Sequence, residues 1–448
     1  MKHFISLAAW LISTQITFAQ TEKINLSDYK LPEMKRHRLD FFFQTSGENS
    51  SSYFITDDFN QDTLTLKTDL FTGEYNLGYS YYRNSPKIQS SVYARSLGNF
   101  SKIKQNRTNY YPQDYSDLNN YLSFDYDIKY FFSHSNWFVN SVPHYSLSYY
   151  SRNYNDENTD SKSIYTRATV GFGGGKGRIE QVQDFRHAIL LIEELEKRSV
   201  SKRNVSETEM IELSTLISQL KNKRFFDSRK QKEAELVALD SFFVDKGIVE
   251  EKSIQYFTGL EDMWSYGGSQ LRESGKQVLF SITPGYNFDK NLEEEGNNIN
   301  EDFLMEYNLS FVSKNPISVK WQGDYGFGLN HEYMKRLRQQ NENLEEKSYY
   351  SSIFASGEIG FFPNTRTYFT LNSNIGLINR SDEKVLDKEN YSAGLEIITS
   401  AYYYISEKLR VGYNISFRNS KNGIFNSNVE NTYNKDFNYN VTLSYAIF

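Results

Sequence analysis

Along most of the chain apolar and polar residues alternate one for one, the mark of a strand whose two faces meet different surroundings. Over 317–330 one parity reads Ile317, Val319, Trp321, Gly323, Tyr325, Phe327, Leu329, and the other Ser318, Lys320, Gln322, Asp324, Gly326, Gly328, Asn330. Phe437, Tyr439, Val441, Leu443, Tyr445 and Ile447 repeat the split at the C-terminus, as do Leu409, Val411, Tyr413, Ile415 and Phe417 before it. About 14 such segments are predicted, near 35–46, 63–82, 86–100, 117–132, 136–153, 162–175, 274–289, 301–314, 316–335, 346–362, 364–380, 388–405, 408–420 and 434–448. Many exceed the five or six residues usual in soluble sheets and suit tilted membrane strands. Tight links at 84–85, 133–135, 315–316, 363–364 and 406–407 alternate with longer polar ones at about 47–62, 101–116, 154–161, 290–300, 336–345, 381–387 and 421–433, as in barrels with short periplasmic turns and long outer loops.

The period changes across roughly 177–272. Ile179, Val182, Phe185, Ile189, Ile192 and Leu195 recur at three-to-four spacing and predict a helix over 178–198. Ser206 and Glu209 form a capping-box pattern ahead of Met210, Leu213, Leu216, Ile217 and Leu220. Further helices are predicted at 228–245, using Ala234, Leu236 or Val237 and Phe243, and at 251–264, using Ile254, Phe257, Leu260 and Trp264. With 15 Lys or Arg against 17 Asp or Glu, the segment has the charge balance of a soluble bundle. It reads as a small helical domain spliced into the barrel on its periplasmic side.

Composition sharpens this picture. Of 448 residues, 35 are Tyr and 33 Phe against 4 Trp, a load of amphipathic rings suited to membrane interfaces. No run of 18 apolar residues occurs, and the mean hydropathy of -0.64 excludes a helical membrane protein. A net charge of -6 leaves no footprint for nucleic acid, and the lack of cysteine excludes disulfides and thiolate sites. Residues 1–19 read as a secretory signal: Lys2 and His3, an apolar stretch from Phe4 to Ile16, then cleavage after Ala19. The expected order is then a periplasmic segment at 20–34, strands one to six at 35–176, the insertion at 177–272 and strands seven to fourteen at 273–448.

The polar parity supplies lumen-facing candidates: Asp125, Lys129, Arg167, Glu306, Lys320, Asp324, Glu358, Glu396, Arg410 and Arg418, with Lys67, Asp69 and Asp127 on the same reasoning. Both signs occur in similar number. They line a polar pore or fill the barrel with internal salt bridges, and fourteen strands lie between the counts that decide. Chemistry is otherwise sparse. Gly171–Gly177 resembles a phosphate loop only loosely, since Val170 and Gly177 break the pattern, and reads better as a hinge. His144 and Ser146 carry the H-x-S spacing of outer-membrane phospholipases, but their parity faces the lumen. The six histidines show no metal spacing, and the acidic stretch Glu293, Glu294, Glu295, Glu301 and Asp302 reads as a solvated loop. No enzyme activity, cofactor or metal is expected.

Within the insertion, Gly177-Arg178-Ile179-Glu180 with Asp184 and the Ala188–Leu195 stretch resembles uncharacterised outer-membrane barrel proteins of Bacteroidota-type bacteria. So does the run from Asn222 to Arg229, including Arg224, Asp227 and Arg229, together with Leu271-Arg272-Glu273-Ser274-Gly275. The resemblance implies a barrel with a periplasmic helical insertion and no particular substrate. Barrels of this kind often end in Phe, as at Phe448, although Ile447 rather than Phe448 continues the apolar parity.

The expected fold is thus an all-β transmembrane barrel, antiparallel, of about 14 strands (12–16), with an inserted small α-helical domain. It would sit in the outer-membrane bilayer of a Gram-negative cell, be recognised by the outer-membrane assembly machinery and bind no nucleic acid. Two functions follow: a porin-like channel for small polar solutes with the helical domain at its mouth, or a non-conducting barrel that anchors that domain for a periplasmic protein partner.

Overall fold

The computed structural model describes residues 25–55, 63–107, 113–133, 135–154, 161–222, 228–249, 252–267, 271–293, 296–339, 343–382, 390–405, 409–424 and 432–445. Fourteen strands follow a short 3-10 turn (Leu26–Asp28). They are β1 (Met34–Ile55), β2 (Thr63–Asn84), β3 (Ile88–Arg107), β4 (Gln113–Phe131), β5 (Trp137–Tyr154), β6 (Ser161–Gln181), β7 (Glu273–Glu293), β8 (Gly296–Pro316), β9 (Trp321–Gln339), β10 (Asn343–Phe361), β11 (Thr367–Asp382), β12 (Asn390–Tyr404), β13 (Leu409–Ile424) and β14 (Thr432–Tyr445). Four helices lie between β6 and β7: α1 (Gln183–Lys197), α2 (Glu207–Asn222), α3 (Ser228–Asp245) and α4 (Ile254–Gly267).

Every strand pairs antiparallel with the next, so the order in the sheet is the order in the chain. The sheet curls, because strands three apart meet across its concave face: Gln89 of β3 donates to the Ile179 carbonyl of β6 at 3.0 Å, and Lys129 of β4 to Gln277 of β7 at 3.1 Å. Alternation sorts the faces as expected. Tyr325, Phe327 and Leu329 are exposed on the convex side, whereas Gln322 and Asp324 point inward to polar partners. On β14 Phe437, Tyr439, Val441 and Leu443 lie opposite Phe417, Ile415, Tyr413 and Val411 of β13, one continuous apolar outer face. Among the described residues no ladder joins β14 to β1, and their outer side chains are the barest of the wall, Phe41 at 69% and Tyr439 at 73%.

The wall is taller than predicted. β7 runs to Glu293 and β8 begins at Gly296, while β9 runs to Gln339 and β10 begins at Asn343. The expected outer links at 290–300 and 336–345 are therefore mostly strand. Their residues are polar on both faces and read as loop, yet the backbone groups still need partners, and the neighbouring strand provides them. β6 also outruns its predicted end, so the wall continues to Gln181 rather than stopping at 176, and α1 starts at Gln183 rather than 178. Lys67 and Asp69 share the parity of Phe71 and Leu77, and so lie on the outer face rather than in the lumen.

Gly177 and Gly275 take φ of 107° and 130°, a region that L side chains rarely adopt. A Cβ on Gly177 would sit 1.9 Å from the Lys276 carbonyl oxygen, and one on Gly275 2.0 Å from that of Arg178. At these two positions the backbones of β6 and β7 come too close for a side chain. The glycine run before it is ordinary strand; Gly177 alone within Gly171–Gly177 carries positive φ.

The core lies in the insertion. Val182, Phe185, Ile189, Ile192 and Leu195 of the α1 region pack with Met210, Leu213 and Ile217 of α2, Leu239 and Phe243 of α3, and Tyr256 and Leu260 of α4. Ile254 and Phe257, expected inside, are exposed at 83% and 46%, because α4 turns Tyr256, Leu260 and Met263 inward.

Candidate functional site

Two structures meet at the end of the barrel that carries the insertion: a lumen lined by the polar parity, and a helical body held across its mouth. The N-terminal segment forms part of that body. Its 3-10 turn lies beside β7 and β8, and the chain then runs to β1 on the other side of the wall. On the way Tyr29 stacks on Phe185 of α1 at 5.1 Å, and the Leu31 carbonyl accepts from Asn84 of β2 at 3.1 Å. Leu26, Tyr29 and Leu31 are buried in the core of the insertion.

Three sets of polar contacts gather where the body meets the wall, the first of them within the wall itself. Arg178 donates to Asn84 Oδ1 at 2.8 Å and to the carbonyls of Ser85 and Pro86, while pairing with Glu180. Arg36 of β1 donates to Asn222 of α2 at 2.9 Å. The third set is the most buried. Arg186 of α1 donates to the carbonyls of Val319, Phe362 and Asn364, and Arg272 to those of Val319, Ser318 and Trp321 and to Gln322 Oε1. Both guanidiniums lie over the Phe362 ring, at 5.8 and 4.7 Å. The β8–β9 and β10–β11 turns are thus tied to the insertion through two arginines with little exposure. Burial lowers both from the usual arginine value, Arg186 to about 10 and, with the Arg186 charge adding to it, Arg272 to about 9. Both remain cations at neutral pH, as their carbonyl partners require.

The predicted residues divide accordingly. Arg178 and Glu180 stand on β6, Arg272 just before β7 and Glu273 as its first residue, so none is helical. The ribbon extends because its backbone is paired from Gln181–Glu273 onward. Asp184 is on α1, buried, and accepts from Lys221 at 2.8 Å. Arg224 and Asp227 lie outside the described residues, and Arg229 is on α3. Lys320 belongs to the β8–β9 turn and is exposed, because β9 begins only at Trp321; Val319 beside it is buried against the insertion rather than facing lipid.

The remaining candidates face the lumen, and most have partners. Asp125 meets His144 Nδ1 at 2.6 Å; Lys129 reaches Gln277 and, at 3.7 Å, Asp127. Asp324 accepts from Lys314 at 2.9 Å, Glu358 from Asn372 at 3.2 Å and Glu396 from Arg418 at 2.6 Å, while Arg410 donates to Tyr402. Arg167 and Glu306 have no such partner among the described residues. His144 and Ser146 both face inward, and Ser146 lies opposite Arg167.

Sequence reasoning missed Arg186 and His187. Both fall inside the apolar period of α1, and nothing in a periodic pattern tells a buried cation from an exposed one. His187 is fully buried, donates through Nε2 to the Met263 carbonyl at 3.0 Å and stacks on Trp264 at 5.2 Å, whose indole N–H reaches Glu235 at 2.7 Å. Burial, with the Lys221 charge, pushes its pKa well below the histidine norm.

No family model matches the chain. No curated protein matches it either. Among solved structures it is similar to the ferric yersiniabactin uptake receptor of Yersinia pestis, at 7% identity and a TM-score of 0.31, over 88% of this chain and 62% of that one. An outer membrane channel from Pseudomonas putida F1 overlaps at 7% identity and a TM-score of 0.24, over 95% and 99% of the two chains. OmpT, an outer membrane protein of Vibrio cholerae, overlaps at 7% identity and 0.23, over 92% and 99%. The chain spans less than two thirds of the receptor's length. Likenesses this loose do not carry a function from one protein to another.

Proposed function

We propose that the protein is an outer-membrane barrel acting as a porin-like channel for small polar solutes, with the helical insertion as a closure at its periplasmic mouth. The observation that carries this is the crossing of that mouth by the N-terminal segment and α1, fastened through Arg186 and Arg272 to the β8–β9 and β10–β11 turns. The lumen supports passage of polar solutes: its side chains carry both signs, and outward ones are apolar. On this reading the assembly machinery places the wall in the outer-membrane bilayer and the insertion faces the periplasm.

Planar-bilayer conductance tests it. Intact protein should conduct weakly, and protein lacking 183–271 should conduct at least severalfold more. Silence in both would sink the channel. A second reading, in which the barrel anchors the helices for a periplasmic partner, draws on the exposed Val237, Ile254 and Phe257. Crosslinking from Phe257 in cells should then recover one specific protein, and recovering none would count against it.

A further inference from the structure

Strand register sets one polar row across four strands of the inner face: Arg167 of β6 opposite Asn287 of β7, Asn287 opposite Asp302 of β8, and Asp302 opposite Arg336 of β9. Farther toward the periplasm on the same strands, Glu306 lies opposite Glu332, like charges in directly facing positions. The row and Glu332 line a cavity of about 400 Å³ open to the lumen, which also takes in Asp289.

The pairing of charges there is uneven. Arg336 grips Asp302 with two bonds of 2.7 and 3.1 Å, so this pair is internally neutral. The side chains of Arg167, Asp289, Glu306 and Glu332 form no hydrogen bond or ion pair with a described residue, and Glu306 stands beside the cavity, opposite Glu332 of its lining. Asn287 is only 8% exposed, yet its Oδ1 meets no protein donor. A buried acceptor without a donor is costly and is expected to find one in a bound molecule or water. What the wall leaves open is therefore one guanidinium, three carboxylates and one buried amide oxygen.

We infer that this cavity binds a small zwitterion, an amino acid or short peptide, whose carboxylate meets Arg167 and whose ammonium meets the Glu306 and Glu332 side. A simple cation would leave Arg167 unmatched, and a simple anion would face three carboxylates. An ammonium brings three donors to a site short of them, and Arg167 offers the fork that suits a carboxylate. The strands bearing Arg167 and Glu332 are three spacings apart, roughly 14 Å, and both side chains reach into that gap. The space between suits a molecule of dipeptide size.

This inference names the solute class for the channel proposed above and rests on that reading, but binding is measurable without conduction. Isothermal titration of full-length protein in detergent micelles would use L-alanyl-L-alanine, methylamine and acetate as probes. The dipeptide should bind saturably, with each single-charge probe at least tenfold weaker. Arg167→Gln and the double variant Glu306→Gln/Glu332→Gln should each weaken dipeptide binding at least tenfold. Asn287→Leu is a further variant, read the same way with a threefold loss, should either charge variant fail to fold. No saturable dipeptide binding, methylamine binding equal to the dipeptide, or dipeptide affinity unchanged in the variants that fold would each overturn the site. A conducting pore without dipeptide binding removes this inference and keeps the channel; dipeptide binding without conductance in any form does the reverse.

Discussion

Arg272 is fully buried and donates to four acceptors on three neighbouring turn residues and Gln322, with no carboxylate among them. Replacing it with Met keeps most of the volume on the Phe362 ring but takes the donor from the Ser318 carbonyl and Gln322 Oε1, while Val319 keeps Arg186 and Trp321 keeps the Ser318 N–H, at about 1–3 kcal/mol for each oxygen left buried and unpaired. Arg272→Met should therefore loosen the insertion, and limited trypsin digestion should cut within 183–267 several times faster than in the unaltered protein. His187 makes a pH-dependent prediction. Its folded pKa lies well below the ordinary 6.5, so the unfolded chain takes up a proton first as pH falls. The insertion should lose stability below about pH 6.5, by up to about 1.4 kcal/mol per unit until the folded value is reached. Amide exchange of α1 at pH 7.5 and 5.5 checks this: protection should fall on acidification, and should do so much less in His187→Phe. Arg272 stood out only through the family resemblance, which gave it no role, and His187 did not stand out at all, because alternation and helical period report only apolar or polar, while their partners lie 46 to 50 and 76 residues further along the chain.

Single elements were more legible where the rule is local. The capping box was read from Ser206 and Glu209 alone, and both of its bonds form: Ser206 N–H to Glu209 Oε2 at 3.0 Å and Glu209 N–H to Ser206 Oγ at 3.3 Å. Arg203, with those bonds adding to it, holds the Glu209 carboxyl at about 2. The box therefore survives mild acid and is lost only as pH falls from the usual carboxylate range toward 2. Ser206→Ala should cost about 1 kcal/mol, seen as faster amide exchange in the first turn of α2 with α1 little changed. The end of β6 was misread for a corresponding reason. Ile179, Val182 and Phe185 fit a helical period, but the Gly177 and Gly275 conformations and the facing β7 backbone hold 177–181 in the sheet. Gly275→Ala should accordingly disrupt the ribbon, both by its φ of 130° and by the Arg178 carbonyl that a Cβ would meet. Trypsin sensitivity of the insertion should rise as it does in Arg272→Met, whereas Gly78→Ala, where a Cβ meets nothing within 4 Å, should leave it unchanged.

At the scale of the whole molecule the alternation of faces, the strand count and the sequential order of the wall were all legible, since period two and connection length are properties of the chain itself. Closure is not such a property. β1 and β14 have free edges among the described residues, and a free edge in hydrocarbon leaves backbone N–H and C=O groups unpaired at several kcal/mol each. The two strands run in opposite senses and carry matching outer faces, Leu39, Phe41 and Phe43 on one and Tyr439, Val441 and Leu443 on the other. Each can supply the partner that the other lacks, so the wall in a bilayer should close by an antiparallel β14–β1 ladder. The chain contains no cysteine, which makes the test clean. Phe41→Cys is combined in turn with Tyr439→Cys, Val441→Cys and Leu443→Cys, and the membrane-inserted proteins are oxidised. Facing Cα atoms in a ladder lie about 4.5–5.5 Å apart, within disulfide reach, and those two positions removed are not. One of the three pairs should therefore form an intramolecular bond much faster than the others, with the band keeping its monomer size and its heat-modifiable migration. Bonds that form only between chains would show that these edges meet a second copy and not each other, and the single-chain barrel would be wrong.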